Sequence, residues 1–361
     1  MESTAPVVRD PAPDRPALAD PTTAIILRLR ADQSTGLAVV AVLLAFCLTS
    51  ALLVAAVGVS EYVIGHFAAA LSLVFALWAK HHLWGRWLRP ARGPRLVHDR
   101  PWRALPALVV RGRTRQWASV VQVEEDGVRT AVRVTALSRA HRAVLARTGR
   151  AWVVGPDEAG WAALRVDGTH EALPAKALHR VPAAKPEPAF APPEVCAARE
   201  LRADLLFAAW FLLAGYLFVG VMSLGVDYAV GKALLVGLGA LTLVALLITP
   251  ALWHLRVNLR LPALVAGARW QRVELSLAPW KARADGTARA AATVHGGGDA
   301  RLRLPAASVE LLGTIWDTGA AWVSGELAAG AWVAVGHPGY GPVAVARVER
   351  VEVSERVQDR P

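Results

Sequence analysis

The run TGRAWVVGPDEAG at residues 148–160 decides how this chain is read, because TGAAWVSGELAAG at residues 318–330 repeats it at an offset of 170. Between 133 and 160 the same gapless offset matches Arg133/Arg303, Ala136/Ala306, Ser138/Ser308, Thr148/Thr318, Gly149/Gly319, Ala151/Ala321, Trp152/Trp322, Val153/Val323, Gly155/Gly325, Ala159/Ala329 and Gly160/Gly330, eleven of 28 positions. Alanine matches carry little weight in so Ala-rich a chain; the Thr-Gly-x-Ala-Trp-Val-x-Gly run and the closing glycine carry much. An apolar run, a short turn between glycines and a second apolar run read as a β-hairpin. The signature residues are therefore Trp152, Gly155 and Gly160 in one copy and Trp322, Gly325 and Gly330 in the other.

Outward from the hairpins, short β-branched runs bounded by Gly, Asp or charged residues predict further strands. These are Ala107–Val110, Trp117–Val123, Val128–Val134, Ala151–Val154 and Trp161–Val166, then Arg272–Leu277, Arg289–Val294, Ala321–Ser324, Trp332–Val335 and Val343–Val348. Ser138–Thr148 and Ala307–Asp317 each read as a short helix closed by the glycine that follows. Each module then has the makings of a small barrel or sandwich, and the residues alone do not choose between them.

Four stretches without Asp, Glu, Lys or Arg lie before the modules: 33–60, 62–79, 205–226 and 233–255, of 28, 18, 22 and 23 residues. About 20 apolar residues span a hydrocarbon core of ~30 Å, so these predict two transmembrane hairpins. The fold class expected is an α+β membrane protein with four spans, each hairpin followed by a small cytosolic β-rich module, in tandem duplication. The boundaries are a disordered leader at 1–23, a first hairpin at 24–79 and a basic, Trp-rich segment at 80–103. A first module at 104–181, a Pro-rich linker at 182–198, a second hairpin at 199–255, a second flank and module at 256–353 and a tail at 354–361 complete them.

The formal charge of +11 is concentrated beside these hairpins: residues 80–103 hold seven Lys or Arg against one acid, and residues 254–272 hold four against none. By the positive-inside rule both termini and both modules face the cytoplasm of a multi-pass plasma-membrane protein. Lys80, Arg86, Arg89, Arg92, Arg95, Arg256 and Arg260 are the expected contacts to anionic headgroups, and Trp78, Trp84, Trp87 and Trp253 the expected interface anchors. The bilayer is thus the first partner; a cytosolic protein and a second copy of the chain are the further candidates. Nucleic acid is not expected, because the basic stretch leaves the apolar spans directly.

Chemistry is harder to find. HExxH, CxxC, GxSxG and GxxxxGK[ST] motifs are absent, and Cys47 and Cys196 form neither a disulfide framework nor a four-thiolate site. His295-Gly-Gly-Gly298 lacks the nucleophile elbow that an esterase oxyanion loop serves. His81 and His82 are adjacent, so on a helix they point apart, even with His98 nearby. No catalytic residue, metal ligand or cofactor is expected. Arg outnumbers Lys 35 to 5, and with its Ala-rich spans and the Thr-Gly-x-Ala-Trp-Val-x-Gly hairpin the chain resembles multi-pass membrane proteins of high-GC actinobacteria. That resemblance implies a genome composition and a duplicated two-helix plus β-module plan, and no active site.

The function read from these residues is a non-enzymatic scaffold or regulatory subunit presenting two β-modules to a protein partner. The alternative is a small transporter or channel subunit acting as an oligomer, with a membrane enzyme ranked last. An exposed apolar patch around Trp161 or Trp332 would mark a protein partner, and a concave polar pocket would mark a ligand.

Overall fold

The computed structural model describes residues 8–29, 95–112, 118–183, 190–206, 210, 253–295 and 300–349. Both Trp runs are strands followed by hairpin turns in which the flanking glycines take positive φ: 89° and 79° at Gly155 and Gly160, and 118° and 83° at Gly325 and Gly330. A side chain strains that backbone, which explains why glycine stands there in both copies.

The first module is β1 (Arg103–Arg111), β2 (Ser119–Glu125), β3 (Val128–Val134), α1 (Arg139–Thr148), β4 (Arg150–Val154), β5 (Trp161–Arg165) and β6 (Leu173–Leu178). Its strands close in the order β1-β2-β3-β6-β5-β4, all pairings antiparallel. The second is β7 (Trp270–Leu277), β8 (Lys281–Ala282), β9 (Thr287–His295), β10 (Arg301–Ser308), α2 (Val309–Thr318), β11 (Ala320–Ser324), β12 (Trp332–Gly336) and β13 (Val343–Glu349). It closes in the equivalent order β7-β9-β10-β13-β12-β11, with the two-residue β8 added beside β9. The modules are therefore barrels of one topology, with α1 and α2 in the same place in each.

Local chemistry explains the joints. Asp126 and Gly127, both at positive φ, make the two-residue turn between β2 and β3, the geometry whose twist suits a hairpin. Ser138 and Ser308 cap the two helices by accepting the amides of His141 and Leu311, and Gly149 and Gly319 end them in the left-handed conformation. The barrel interiors are filled by alternating strand residues, among them Val121, Val132, Val153 and Leu164 in the first and Leu302, Leu304, Val323 and Val335 in the second. The first barrel also buries apolar groups on its outer face: Trp152, Val154 and Ala163 pack with Trp102, Val97 and Ala17. The proline-rich start of the chain thus takes part in the fold: residues 21–29 are helical, and Ala17, Thr23 and Ile26 are buried.

Both barrels belong to one compact unit, Met1–Leu27, Arg92–Arg199 and Val257–Pro361; a second unit comprises Arg28–Ala91 and Glu200–Arg256. Within the first unit the barrels meet reciprocally. The β5–β6 loop of the first barrel reaches α2, where His170 meets Thr314. The β12–β13 loop of the second reaches α1, where Gly341 approaches Ala140 and Arg147 lies 4.6 Å over Tyr340. His170 and Tyr340 are equivalent under the 170-residue offset, as are Asp317 and Arg147. The two modules of one chain pack as a pseudo-twofold pair, a dimer interface made in cis.

The described residues do not bear out the membrane-protein reading. The structure is mostly β, two closed six-stranded barrels with short helices, and among the described residues no helix is long and apolar enough to cross a membrane. The α+β class with four spans, the multi-pass plasma-membrane placement and the cytoplasmic termini do not stand. Nearly all of 33–60, 62–79, 205–226 and 233–255 lies outside the described residues. The physical reason is that a charge-free run reports apolar composition, whereas the element it builds depends on its partners.

Candidate functional site

The β5–β6 loop of the first barrel is the unusual element. Every residue from Val166 to Ala172 is buried, although four of the seven are Asp167, Thr169, His170 and Glu171. Loops normally run over the surface, because buried backbone and polar side chains need partners. This loop finds them from three directions.

At its start, Asp167 accepts from Trp152 Nε1 at 2.7 Å and from Arg150 Nε at 3.1 Å, and Arg150 also reaches Asp10 at 3.0 Å. Burial pulls the Arg150 guanidinium down, and Asp167, then Asp10, outweigh it and hold it above its ordinary value. In the middle, His170 donates from Nδ1 to Asp20 Oδ2 at 2.7 Å, while Arg165 donates to the same oxygen at 2.8 Å. The Thr23 hydroxyl donates to the His170 carbonyl at 2.8 Å, so the segment at 20–23 is pinned to the loop at both side chain and backbone. Burial pushes the Asp20 carboxyl up, but His170 and Arg165 outweigh it and hold it far below the usual carboxylate range.

On the opposite side of the His170 ring stands α2. Glu310, Thr314 and Asp317 share one helical face, and Thr314 Oγ1 and Asp317 Oδ2 lie 3.4 and 3.9 Å from Nε2. Burial, with the negative Asp20 adding to it, pushes Asp317 up against the pull of His170. Gly313 on this face touches the N-terminal segment: a Cβ there would lie 2.9 Å from Thr22 Cβ. Beyond His170, Glu171 meets Glu310 and, from α1, His141, their ligand-type atoms all within 4.8 Å of one another.

A polar recess opens beside the loop, lined among others by Arg9, Asp10, Arg150, Asp167 and Tyr340, with a volume of about 20 Å³. That is room for a water and not for a metabolite.

The second barrel solves the same loop differently. Asp167 is replaced by His337, whose ring lies 5.2 Å from the Trp322 ring that Trp152 matches. Burial pulls His337 down to about 4, against a hydrogen bond with the Ala320 backbone. A histidine lowered from 6.5 to about 4 is held neutral by the fold, so its contribution is full above 6.5 and is lost as the pH falls toward 4. Between pH 7 and pH 5 this amounts to about 2 kcal/mol. Urea unfolding at the two pH values should show that loss, and His337→Gln should show correspondingly less of it. An identical pH slope in both proteins would refute the assignment.

Trp152 and Trp322 are buried in the outer faces of β4 and β11, under Arg150 at 5.1 Å and Arg272 at 6.0 Å. Arg95 is exposed before the turn Leu96–His98. Arg256 is exposed and stacks 3.7 Å over Trp253, and Arg260 lies 4.5 Å over Trp332. Lys80, Arg86, Arg89, Arg92, Trp78, Trp84 and Trp87 lie outside the described residues, as do Cys47, His81, His82 and Gly296–Gly298. Asp20, His141, Arg165, His170, Glu171 and Glu310 were not singled out, because their meeting depends on tertiary packing that no local spacing records. One signal was available: at offset 170 these positions differ between the copies, as in Glu310/Ala140 and Glu171/Gly341.

No family model matches the chain, and no curated protein or solved structure matches it either.

Proposed function

We propose that the two-barrel unit is a non-enzymatic binding module that presents α2 to a protein partner. The observation that carries this reading is Trp316, which is 70% exposed on a helix buried from Val309 to Ile315. The equivalent residue of α1 is Ala146, so the barrel topology does not need a large side chain there. A tryptophan standing in water where the repeat does with alanine is the residue type that anchors protein interfaces. The other two aromatic candidates are spent locally. Trp161 lies under Lys176 at 4.8 Å, and Trp332 is flanked by Arg260 and Arg347, its β13 neighbour in the pairing. The seam fits the same reading, since its charged groups face one another and join the barrels into a fixed platform.

The test is a photo-crosslinking residue at position 316 of the full chain, expressed at its native level. One discrete adduct is expected, and Trp316→Ala should lower recovery of that same partner about tenfold, with an unchanged melting temperature. An adduct of twice the chain mass would identify the partner as a second copy. No adduct, or recovery unaffected by Trp316→Ala, would sink the proposal.

A further inference from the structure

We infer that His141, Glu171 and Glu310 form a binding site for a divalent first-row transition-metal ion, held between the two barrels. The three residues come from α1, the β5–β6 loop and α2, and are 5%, 1% and 7% exposed. Their ligand-type atoms all lie within 4.8 Å of one another. Donors about 2.0–2.2 Å from a common ion are separated by no more than twice that distance, so the cluster is already near the size that a shared ion requires.

The repeat supplies an internal comparison. The counterparts of Glu310, Glu171 and His141 are Ala140, Gly341 and Leu311. At the mirror position of the seam Gly341 therefore meets Ala140, a Cβ on Gly341 lying 3.3 Å from the alanine Cβ. The same joint thus carries glycine, alanine and leucine in one half and two carboxylates and an imidazole in the other. Packing does not require those three groups. Each of two buried carboxylates held together disfavours the charge of the other in a poorly solvated place, while the buried Arg165 guanidinium acts on Glu310 in the opposite sense. A dication between them reverses that sign, and its binding energy adds to folding because the ligands converge only when both barrels are docked.

The donor set indicates the class of ion. One imidazole nitrogen with two carboxylate oxygens suits Zn²⁺ or Mn²⁺, whereas Mg²⁺ and Ca²⁺ favour oxygen alone. His141 is oriented by the capping box of α1: its amide donates to Ser138 Oγ at 3.1 Å, and the Ser138 amide donates to Nδ1 at 3.4 Å. The second contact is long for a hydrogen bond. An ion on Nε2 takes the tautomer with its proton on Nδ1 and gives up that weak contact in exchange for a metal–nitrogen bond.

The experiment uses the full chain purified without chelator. Elemental analysis should find about one zinc or manganese per chain. After stripping with EDTA, returning Zn²⁺ or Mn²⁺ should raise the thermal midpoint by about 5 °C at saturation, and Mg²⁺ should not. Glu310→Ala installs the residue that the other half of the seam carries, and should abolish both the bound metal and the midpoint shift. Protein that is free of metal as purified, with a midpoint indifferent to both ions, would make the trio an ion-paired joint and overturn the inference. A full metal content in Glu310→Ala would overturn it equally. Neither readout depends on the partner proposed for Trp316.

Discussion

Replacing Asp20 by asparagine should lower the unfolding free energy by about 3–5 kcal/mol, the cost of breaking a buried ion pair from one side. Asp20 Oδ2 receives both His170 and Arg165, and the Arg165 side chain is only 4% exposed, so solvent cannot replace the lost charge. The change leaves the volume of the side chain almost untouched, which separates the charge effect from packing. Asp20→Asn combined with Arg165→Met should recover much of the loss, because the buried guanidinium is then gone as well. Urea unfolding of the two single variants and the double variant measures the coupling. Additive effects would mean that the pair is not the source of the stability.

The same carboxyl sets an acid limb. Asp20 is held far below its ordinary 3.8, so the folded protein takes up this proton less readily than the unfolded chain. Its contribution is complete above that ordinary value and fades as the pH falls below it. Because the residue belongs to the segment lying between the loop and Gly313, its protonation should release residues 8–29 before the barrels themselves open. Limited proteolysis at low pH would show cleavage of that segment first.

What could be read from the sequence was whatever the repeat wrote locally. The Trp152 and Trp322 hairpins and the glycine helix ends need only neighbours in the chain, and all are formed. Three strands have no counterpart in that reading, β6, the two-residue β8 and β10; β6 and β10 each contain a proline, Pro174 or Pro305, which demotes a run as a strand candidate. The duplication itself offered the remedy, since Val343–Val348 maps onto 173–178 and Val128–Val134 onto 298–304. The charge-free runs predict spans from apolar composition alone, and nearly all of their residues lie outside those the structure describes. The seam was illegible for a different reason. A loop rich in Asp, Thr, His and Glu reads as surface, and only the docking of the second barrel and of residues 17–26 buries it.

The buried β5–β6 loop is also where the smallest substitution should do the most steric damage. Gly168→Ala should destabilise the protein by about 3 kcal/mol, from two separable sources. Gly168 has φ +74°, where an L side chain costs about 1–2 kcal/mol, and its Cβ would stand 2.7 Å from Tyr340 Cγ and 2.9 Å from Tyr340 Cβ. The Tyr340 ring cannot simply step aside, because Arg147 covers it at 4.6 Å and the neighbouring Gly339 amide is bound by Glu194 at 3.0 Å. Truncating the ring in Tyr340→Ala relieves part of the clash and leaves the backbone strain. The double variant Gly168→Ala/Tyr340→Ala should therefore lie above the sum of the single variants by about 1 kcal/mol or more. Gly127, also at positive φ but with nothing within 4 Å, is the control: Gly127→Ala should show the strain alone. Equal losses at 127 and 168, with no coupling to Tyr340, would mean that the two loops do not interlock.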